Sequence, residues 1–512
     1  MSTSVLIVGA GPTGSMAANQ LMRFGIDFII IDPKEGPTLE SRAIVVTARS
    51  LEIYQQMGLV DRVLEEGVRM ERGYLFSGGK EKAEIRLGDF GKGQSEFPYL
   101  LAYEQSKNEA LLAENLTEQG RTIHWEHELV ELKEYKEGID AVIQHQGTRS
   151  HIKARYLIAC DGASSPVRKQ LNFSFGGGTY KHKFFVADTT LEWDLDYSRL
   201  IIAPGDENFC AFMPLYGNRN YRIIGTLPKK YADREDIEFR DIDDVVAKTL
   251  GLKVNFETVN WFSIYKLHHR SVDQFREGNV FLAGDSAHIH SPAGGQGMNT
   301  GLQDAYNLCW KLALVLKGQA RPELLDTYNE ERLPFARWLL RFTDRGFKMM
   351  TSDHPITKRF RKHVILNVIG KLTKTRIVRK AMFKTISQIW YSYKGMSLSG
   401  SVSKQPLAFK AGDRLPYFPD NNIHPSFTKP AFHLLHIGQD PISNETKGKL
   451  RSLFPFEIEF VENELSADWK SLGVKQELFM LVRPDNHIAF IFDTIDGAQV
   501  KNYLNRYFLP ME

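Results

Sequence analysis

The sequence predicts an α/β protein with a largely parallel sheet. Three observations predict it: a glycine-rich turn at residues 9–14, a second at 284–299, and an Asp-Gly turn between them at 161–162. Each turn follows a short apolar run of strand length and leads into a helical pattern. In open α/β sheets such turns lie at the carboxyl ends of strands, where ligands collect.

The first turn is Gly9-Ala10-Gly11-Pro12-Thr13-Gly14, preceded by the apolar run Ser4-Val5-Leu6-Ile7-Val8 and followed by a helical pattern from Met16 to Phe24. G-x-G-x-x-G in this context makes a tight turn and lets the backbone approach a pyrophosphate, so Gly9, Gly11 and Gly14 are candidate contacts. A second strand, Phe28-Ile29-Ile30-Ile31, ends at Asp32. That is the offset of roughly 20 residues expected for the acid that binds an adenosine ribose. The first 35 residues therefore bind a dinucleotide, and this fingerprint alone does not separate NAD from FAD.

The second turn resolves that choice. The strand Val280-Phe281-Leu282-Ala283 delivers Gly284 and Asp285 to its carboxyl end, and Asp285 can accept hydrogen bonds from sugar or ribityl hydroxyls. The glycines after Pro292 let backbone approach a flat ring. Asn299-Thr300-Gly301-Leu302-Gln303-Asp304-Ala305 reads as a helix start, whose free N–H groups favour negative charge such as a reduced flavin carries on its pyrimidine edge. Two ligand-gripping turns this far apart indicate FAD. Between them, Tyr156-Leu157-Ile158-Ala159-Cys160 leads to Asp161-Gly162 and a helix start ending in Arg168, which places Asp161 beside the same crevice.

These three motifs, in this order, resemble the FAD-dependent aromatic hydroxylases of the para-hydroxybenzoate hydroxylase class. The similarity extends to Ser41-Arg42-Ala43, Arg49-Ser50-Leu51-Glu52-Ile53, Gln105 with Glu109, Leu308 to Ala313, Leu324 to Tyr328 and Glu331-Arg332-Leu333-Pro334. Further on, Ala411-Gly412-Asp413-Arg414-Leu415-Pro416 and Leu481-Val482-Arg483-Pro484-Asp485 are similar to the thioredoxin-like C-terminal domain of the phenol hydroxylase branch, which also holds hydroxylases of polyketides and rifamycin-type antibiotics. The resemblance implies that Thr13 and Asp32 hold the adenosine half and that Arg42 and Gln105 reach pyrophosphate and flavin. It further implies that Leu129 touches adenine through its backbone, that Asp285 binds the ribityl chain, and that Pro292 packs near the reactive edge. Met298 and Asn299 would donate backbone N–H groups to the ring, and Asp161 with Arg168 would serve both FAD and NAD(P)H. Two departures are small: Asp32 stands where Glu is common, and Ser286 where Ala is common.

The resulting architecture is a Rossmann-like FAD domain (1–72, 98–180 and 270–345) interleaved with a β-sheet substrate domain (73–97 and 181–269). A basic helical linker (346–400) and the thioredoxin-like domain (401–512) follow. The apolar runs at 183–188, 209–214 and 221–225 are strand candidates for a sheet that roofs the substrate pocket, and Phe479–Val482 with Ile488–Phe492 reads as a hairpin. A chain of 512 residues calls for two or three domains. Its three cysteines, Cys160, Cys210 and Cys309, leave the last domain without a thiol. Dithiol chemistry is thereby excluded there, and packing or subunit contact is the expected role. The absence of a C-x-x-C spacing, of a basic leader and of a long apolar run fits a cytoplasmic protein. The net charge is +3, yet residues 355–395 hold eleven Lys or Arg and no acid. These basic helices are expected to pack on the more acidic body; they leave an anionic membrane open, and nothing accompanies them that suggests nucleic acid.

The resemblance implies an NAD(P)H-dependent flavoprotein monooxygenase, acting as monomer or homodimer. It would use O₂ and a flavin C4a-hydroperoxide to hydroxylate a small phenolic, polyketide or antibiotic-like aromatic. Two alternatives share the scaffold, a flavoprotein reductase or dehydrogenase and a non-catalytic flavin-binding protein. No residue is assigned a catalytic role. His288 and His290 lack further ligands for a metal and read as structural. Phe209, Phe212, Met213 and Pro214 are candidates for an apolar lining, and Arg42, Arg222 and His182 for orienting a phenolate.

Overall fold

The computed structural model describes residues 1–39, 43–205, 208–234, 236–291, 294–351, 354, 373 and 375–510. Arg42, Pro292 and most of the basic segment (355–372 and 374) lie outside the described residues.

The fingerprint strand Ser2–Val8 lies at the centre of the first sheet, parallel to Phe28–Ile31 on one side and to Thr148–Ala159 on the other. Val280–Leu282 continues the parallel order beyond Thr148–Ala159, and Ile123–His124 beyond Phe28–Ile31. The stretches Val5–Val8, Tyr156–Ala159 and Val280–Leu282 are buried throughout, which reflects helices packed on the sheet. Helix Pro12–Arg23 lies against helices Gln105–Glu118 and Gly297–Leu316. The last is buried almost all round, from Asn299 to Val315. Two antiparallel strands, Glu128–Tyr135 and Gly138–His145, extend the sheet from Thr148–Ala159.

A second eight-stranded sheet is largely antiparallel and draws on two separate stretches of chain, 72–86 and 176–289. Its long strands Gly176–Glu192 and Asn255–Ser271 pair with each other, and Asn220–Thr226 and Phe209–Pro214 follow. One face packs Phe185, Phe212, Tyr221 and Ile223 against helix Asp243–Leu250. The other faces the FAD-type sheet.

The C-terminal sheet has the strand order Gly400–Ser401, Ile488–Phe492, Leu478–Val482, Phe432–Gly438, Ile458–Glu464. Phe432–Gly438 and Ile458–Glu464 are parallel and joined through helix Asn444–Arg451; the other two long strands form the expected hairpin and helix Gly497–Leu504 follows. This is the thioredoxin-like order. One face of this sheet is not a separate core: Phe432, Phe456, Phe490 and Phe508 belong to the same apolar cluster as the first sheet, with Phe432 edge-on to Trp310 at 5.5 Å. Of the basic segment, the described helix Arg376–Ile386 buries Phe383 against Phe90 and Gly91 and pairs Arg379 with Asp89 at 3.4 Å.

Candidate flavin site

The chain leaves the central strand toward Phe28–Ile31 on one side and reaches Thr148–Ala159 on the other, so the crevice at their carboxyl ends is a topological switch point. The turn that opens it needs glycine. Gly9 has φ +101°, and a Cβ there would overlap the carbonyl of Cys160. Around Gly11, by contrast, no other group comes within 4 Å of where a Cβ would stand, which leaves backbone open to a ligand. Gly14 packs on the Gly9 carbonyl.

Asp32, 4% exposed, accepts the Ala10 N–H at 2.6 Å and the Lys34 N–H at 2.9 Å, so its carboxylate grips the turn it faces. Leu129 is buried close by, two residues after His127, whose N–H reaches the Asp32 carbonyl at 3.0 Å. Thr13 stands at the other end of the turn. Its side chain fills the space left by Gly284 and Gly301, so the first and second glycine turns meet on it. Gln105 accepts the Ala43 N–H at 3.4 Å and donates to Glu109 at 2.9 Å, which in turn pairs with Lys34 at 3.1 Å.

The second turn presents Asp285, exposed between buried Gly284 and Ser286. The Ser286 hydroxyl, where Ala is common, donates to the Ala159 carbonyl at 2.6 Å. Arg168 donates to the Ser286 and Ala163 carbonyls at 2.9 and 2.6 Å, joining the Asp161 motif to the second turn. Asp161 accepts the Val167 N–H at 3.0 Å through one oxygen, while its other oxygen is buried without a partner. Burial pushes the Asp161 carboxyl above its ordinary range, although Ser165 and Val167 oppose that.

Helix Gly297–Leu316 points its N-terminus at the crevice, its first backbone bond being Thr300 N–H to Gln296 carbonyl at 2.9 Å. The N–H groups of residues 297–299, Met298 and Asn299 among them, precede that bond and have no helical acceptor. The Asn299 side chain is fully engaged. It accepts from the Thr47 N–H and the Thr47 and Ser50 hydroxyls at 3.0, 3.2 and 2.7 Å, and donates to the Val45 and Gly295 carbonyls at 2.8 Å each.

Sequence reasoning overlooked Asp304. Its carboxylate accepts from Gly284 N–H (3.2 Å), His288 (2.7 Å) and Arg332 (2.7 Å), tying the second turn to helix Asp326–Thr351. Burial would raise this carboxyl, but Arg332 and His288 more than offset it and hold it low. A signal was present: Asp304, Asn307 and Lys311 recur at helical spacing in an otherwise apolar helix. His288 is thus a structural hydrogen-bonding residue, stacked on Phe275.

On the roof, Arg222 is 1% exposed and grips Asp188 through two bonds of 2.7 and 2.6 Å, with a third to the Ala43 carbonyl at 3.1 Å. That guanidinium is committed to protein partners. Phe212, one of the candidates for the lining, lies on the opposite face against Trp193 because alternation along the strand separates it from Met213.

Open backbone at Gly11, an orphan Asp161 oxygen, exposed Asp285 and the N–H groups of residues 297–299, which precede the first helical bond, suit the polar groups of FAD. The comparisons agree. Residues 2–343 match the FAD binding domain family. The chain is 29% identical to 6-methylpretetramide 4-monooxygenase of Streptomyces rimosus over 95% of this chain and 90% of that one. It is 35% identical to rifampicin monooxygenase of Rhodococcus hoagii over 76% and 79%. The solved structure of OxyS anhydrotetracycline hydroxylase from Streptomyces rimosus superposes with a TM-score of 0.78 at 26% identity, covering 100% of both chains. The chain therefore belongs to the FAD-dependent aromatic monooxygenases built on this FAD binding domain.

Proposed function

We propose that the protein hydroxylates an electron-rich polycyclic or phenolic ring, using NAD(P)H and O₂. The balance is one NAD(P)H, one proton and one O₂ consumed, with one oxygen atom entering the ring and the other leaving as water. Bound FAD supplies the electron transfer and oxygen activation, chemistry no side chain provides. The chain's own part is to place and shelter the ring.

The observation that carries this reading is the roof above the two glycine turns. Arg222 reaches across to the Ala43 carbonyl, which fixes which face of the second sheet looks onto the crevice. By register and alternation Val186, Asp188, Met213, Ile224 and Trp261 share that face. Apart from the Asp188–Arg222 pair and the hydroxyls of Ser263 and Thr226, which pair with Val186 and Phe184, it is apolar and aromatic, suited to a flat ring and to limiting water. The relatives named for tetracyclic and rifamycin-type substrates favour a polycyclic phenol. Asp161 and Arg168, joined to the second turn, are the residues that would meet the nicotinamide donor.

The test is NAD(P)H oxidation and O₂ uptake against a panel of simple and polycyclic phenols, with product mass. A product one oxygen heavier supports hydroxylation. Peroxide alone with every phenol, or reduction of an acceptor without O₂ uptake, would replace this reading with that of a reductase.

A further inference from the structure

The C-terminal domain has no cysteine and no nucleotide motif, yet one of its turns is buried inside the FAD domain. Arg483 opens that turn at 1% side-chain exposure. Its guanidinium takes both oxygens of Glu331, at 2.5 and 2.9 Å, and both of Asp485, at 2.9 and 2.5 Å. The rings of Trp310 and Tyr393 lie 5.1 and 5.0 Å from it. Around it, Tyr306 donates to the Pro484 carbonyl at 2.9 Å, Arg49 to the Asp485 carbonyl at 2.6 Å, and Gln56 to Asn486 at 2.8 Å. Arg414 takes both oxygens of Glu52 at 2.9 and 2.6 Å.

Each receiving element also touches the flavin crevice. Helix Ala48–Gln56 carries Ser50, which bonds Asn299 at 2.7 Å. Glu331 is followed by Arg332, whose bond to Asp304 at 2.7 Å reaches the Gly284 turn. An apolar interface alone would hold two domains as firmly, since buried charges cost desolvation. What bidentate ion pairs add is a single seating, because their geometry tolerates no sliding.

We propose that the thioredoxin-like domain is a positioning element for the flavin, with Arg483 as the positioning residue acting through Glu331–Arg332–Asp304 on the Gly284–Asp285 turn. The inference rests on the FAD assignment and not on hydroxylation, so flavin binding tests it without turnover. The full chain is compared as R483M, R483K and D485N, with W469L as a control. Trp469 is buried in the C-terminal domain's other core, against Phe409 and Phe418, away from the interface. FAD titration by fluorescence and the visible flavin spectrum are read below each variant's transition, and Tm is measured alongside.

R483M is expected to weaken FAD binding about tenfold and shift the visible band, the scale that coupling through a packed network carries. R483K should recover part of that. D485N, which keeps shape and loses charge, should show the same spectral change in milder form, and it decides the matter if R483M does not fold. W469L should lower Tm while leaving affinity within about twofold, since it touches neither route. Unchanged affinity and spectrum in R483M and D485N would overturn the proposal. So would a W469L that loses FAD in proportion to its Tm.

Discussion

Single residues set the ends of the flavin crevice. Asp32 was readable from spacing alone, because the acid that ends the second strand must face the first glycine turn, and its bond to the Ala10 N–H at 2.6 Å shows that it does. Removing it strands a buried N–H and, on the proposed FAD reading, a ribose partner. Asp32→Ala should therefore weaken FAD binding by about 1.5–3 kcal/mol, roughly tenfold to a hundredfold. Equilibrium dialysis of FAD against the variant checks this, and unchanged affinity would remove Asp32 from the site. Gly284 is a harsher case. At φ +62° it leaves no room between itself and Thr13, so Gly284→Ala combines left-handed backbone with a collision against the neighbouring turn. A cost of at least about 1–3 kcal/mol follows. Thermal unfolding of the colourless protein, prepared in parallel with wild type, should show it as a lowered Tm.

At the scale of elements, the sequence announced strands and helices where apolar period and turn chemistry agreed, as at Phe28–Ile31, Phe209–Pro214 and the hairpin Leu478–Val482 with Ile488–Phe492. It was less able to say which face of a strand would be used. Phe212 and Met213 are equally apolar, and only the position of helix Asp243–Leu250 decides that Phe212 packs outward against it. The role of Asn299 shows the same limit. Its place at a helix start pointed to backbone N–H groups, but nothing local revealed that its amide would join residues 45–50 to the glycine loop. With five bonds to two segments, Asn299→Ala should cost about 2–4 kcal/mol, more than a surface helix start would, because buried partners are left unmade. Asn299→Asp keeps the acceptor side but sets a buried carboxylate oxygen against the Val45 and Gly295 carbonyls, so it should cost at least as much. Chemical denaturation of the two variants orders them, and equal stability of wild type and Asn299→Ala would show that the loop is held by other means.

Across the whole molecule, the chain binds its ends together through charges that no local pattern reveals. Arg483 and Glu331 are 152 residues apart, and such pairing leaves no period for a single sequence to show. The motifs around Arg414 and Arg483 were visible, but their purpose was not, and packing was the most that composition implied. The structure makes this contact a pH-sensitive one. Burial raises the Glu52 carboxyl, and Arg414 with Arg49 overcomes it and holds the group at about 2. Burial likewise raises Glu331, and Arg483 with Lys311 brings it to about 2. Burial pushes His424, which packs beside Arg414, down to about 4 from an ordinary 6.5. The signs agree. Between pH 6.5 and about 4 the unfolded state binds the proton that folded His424 refuses. Between pH 4.5 and about 2 it binds those that folded Glu52 and Glu331 refuse. Stability therefore falls as pH falls through both windows. Tm followed by intrinsic flavin fluorescence should decline from about pH 6.5 and more steeply below about pH 4.5, with flavin release accompanying the loss. Glu331→Gln leaves Arg483 and Lys311 short of a counter-charge, so it should already be destabilised at neutral pH, by about 3–5 kcal/mol, and show a shallower decline below pH 4.5. A Tm independent of pH down to about 3 in wild type, or an unchanged acid slope in Glu331→Gln, would show that the buried ion pairs do not govern how the C-terminal domain is held.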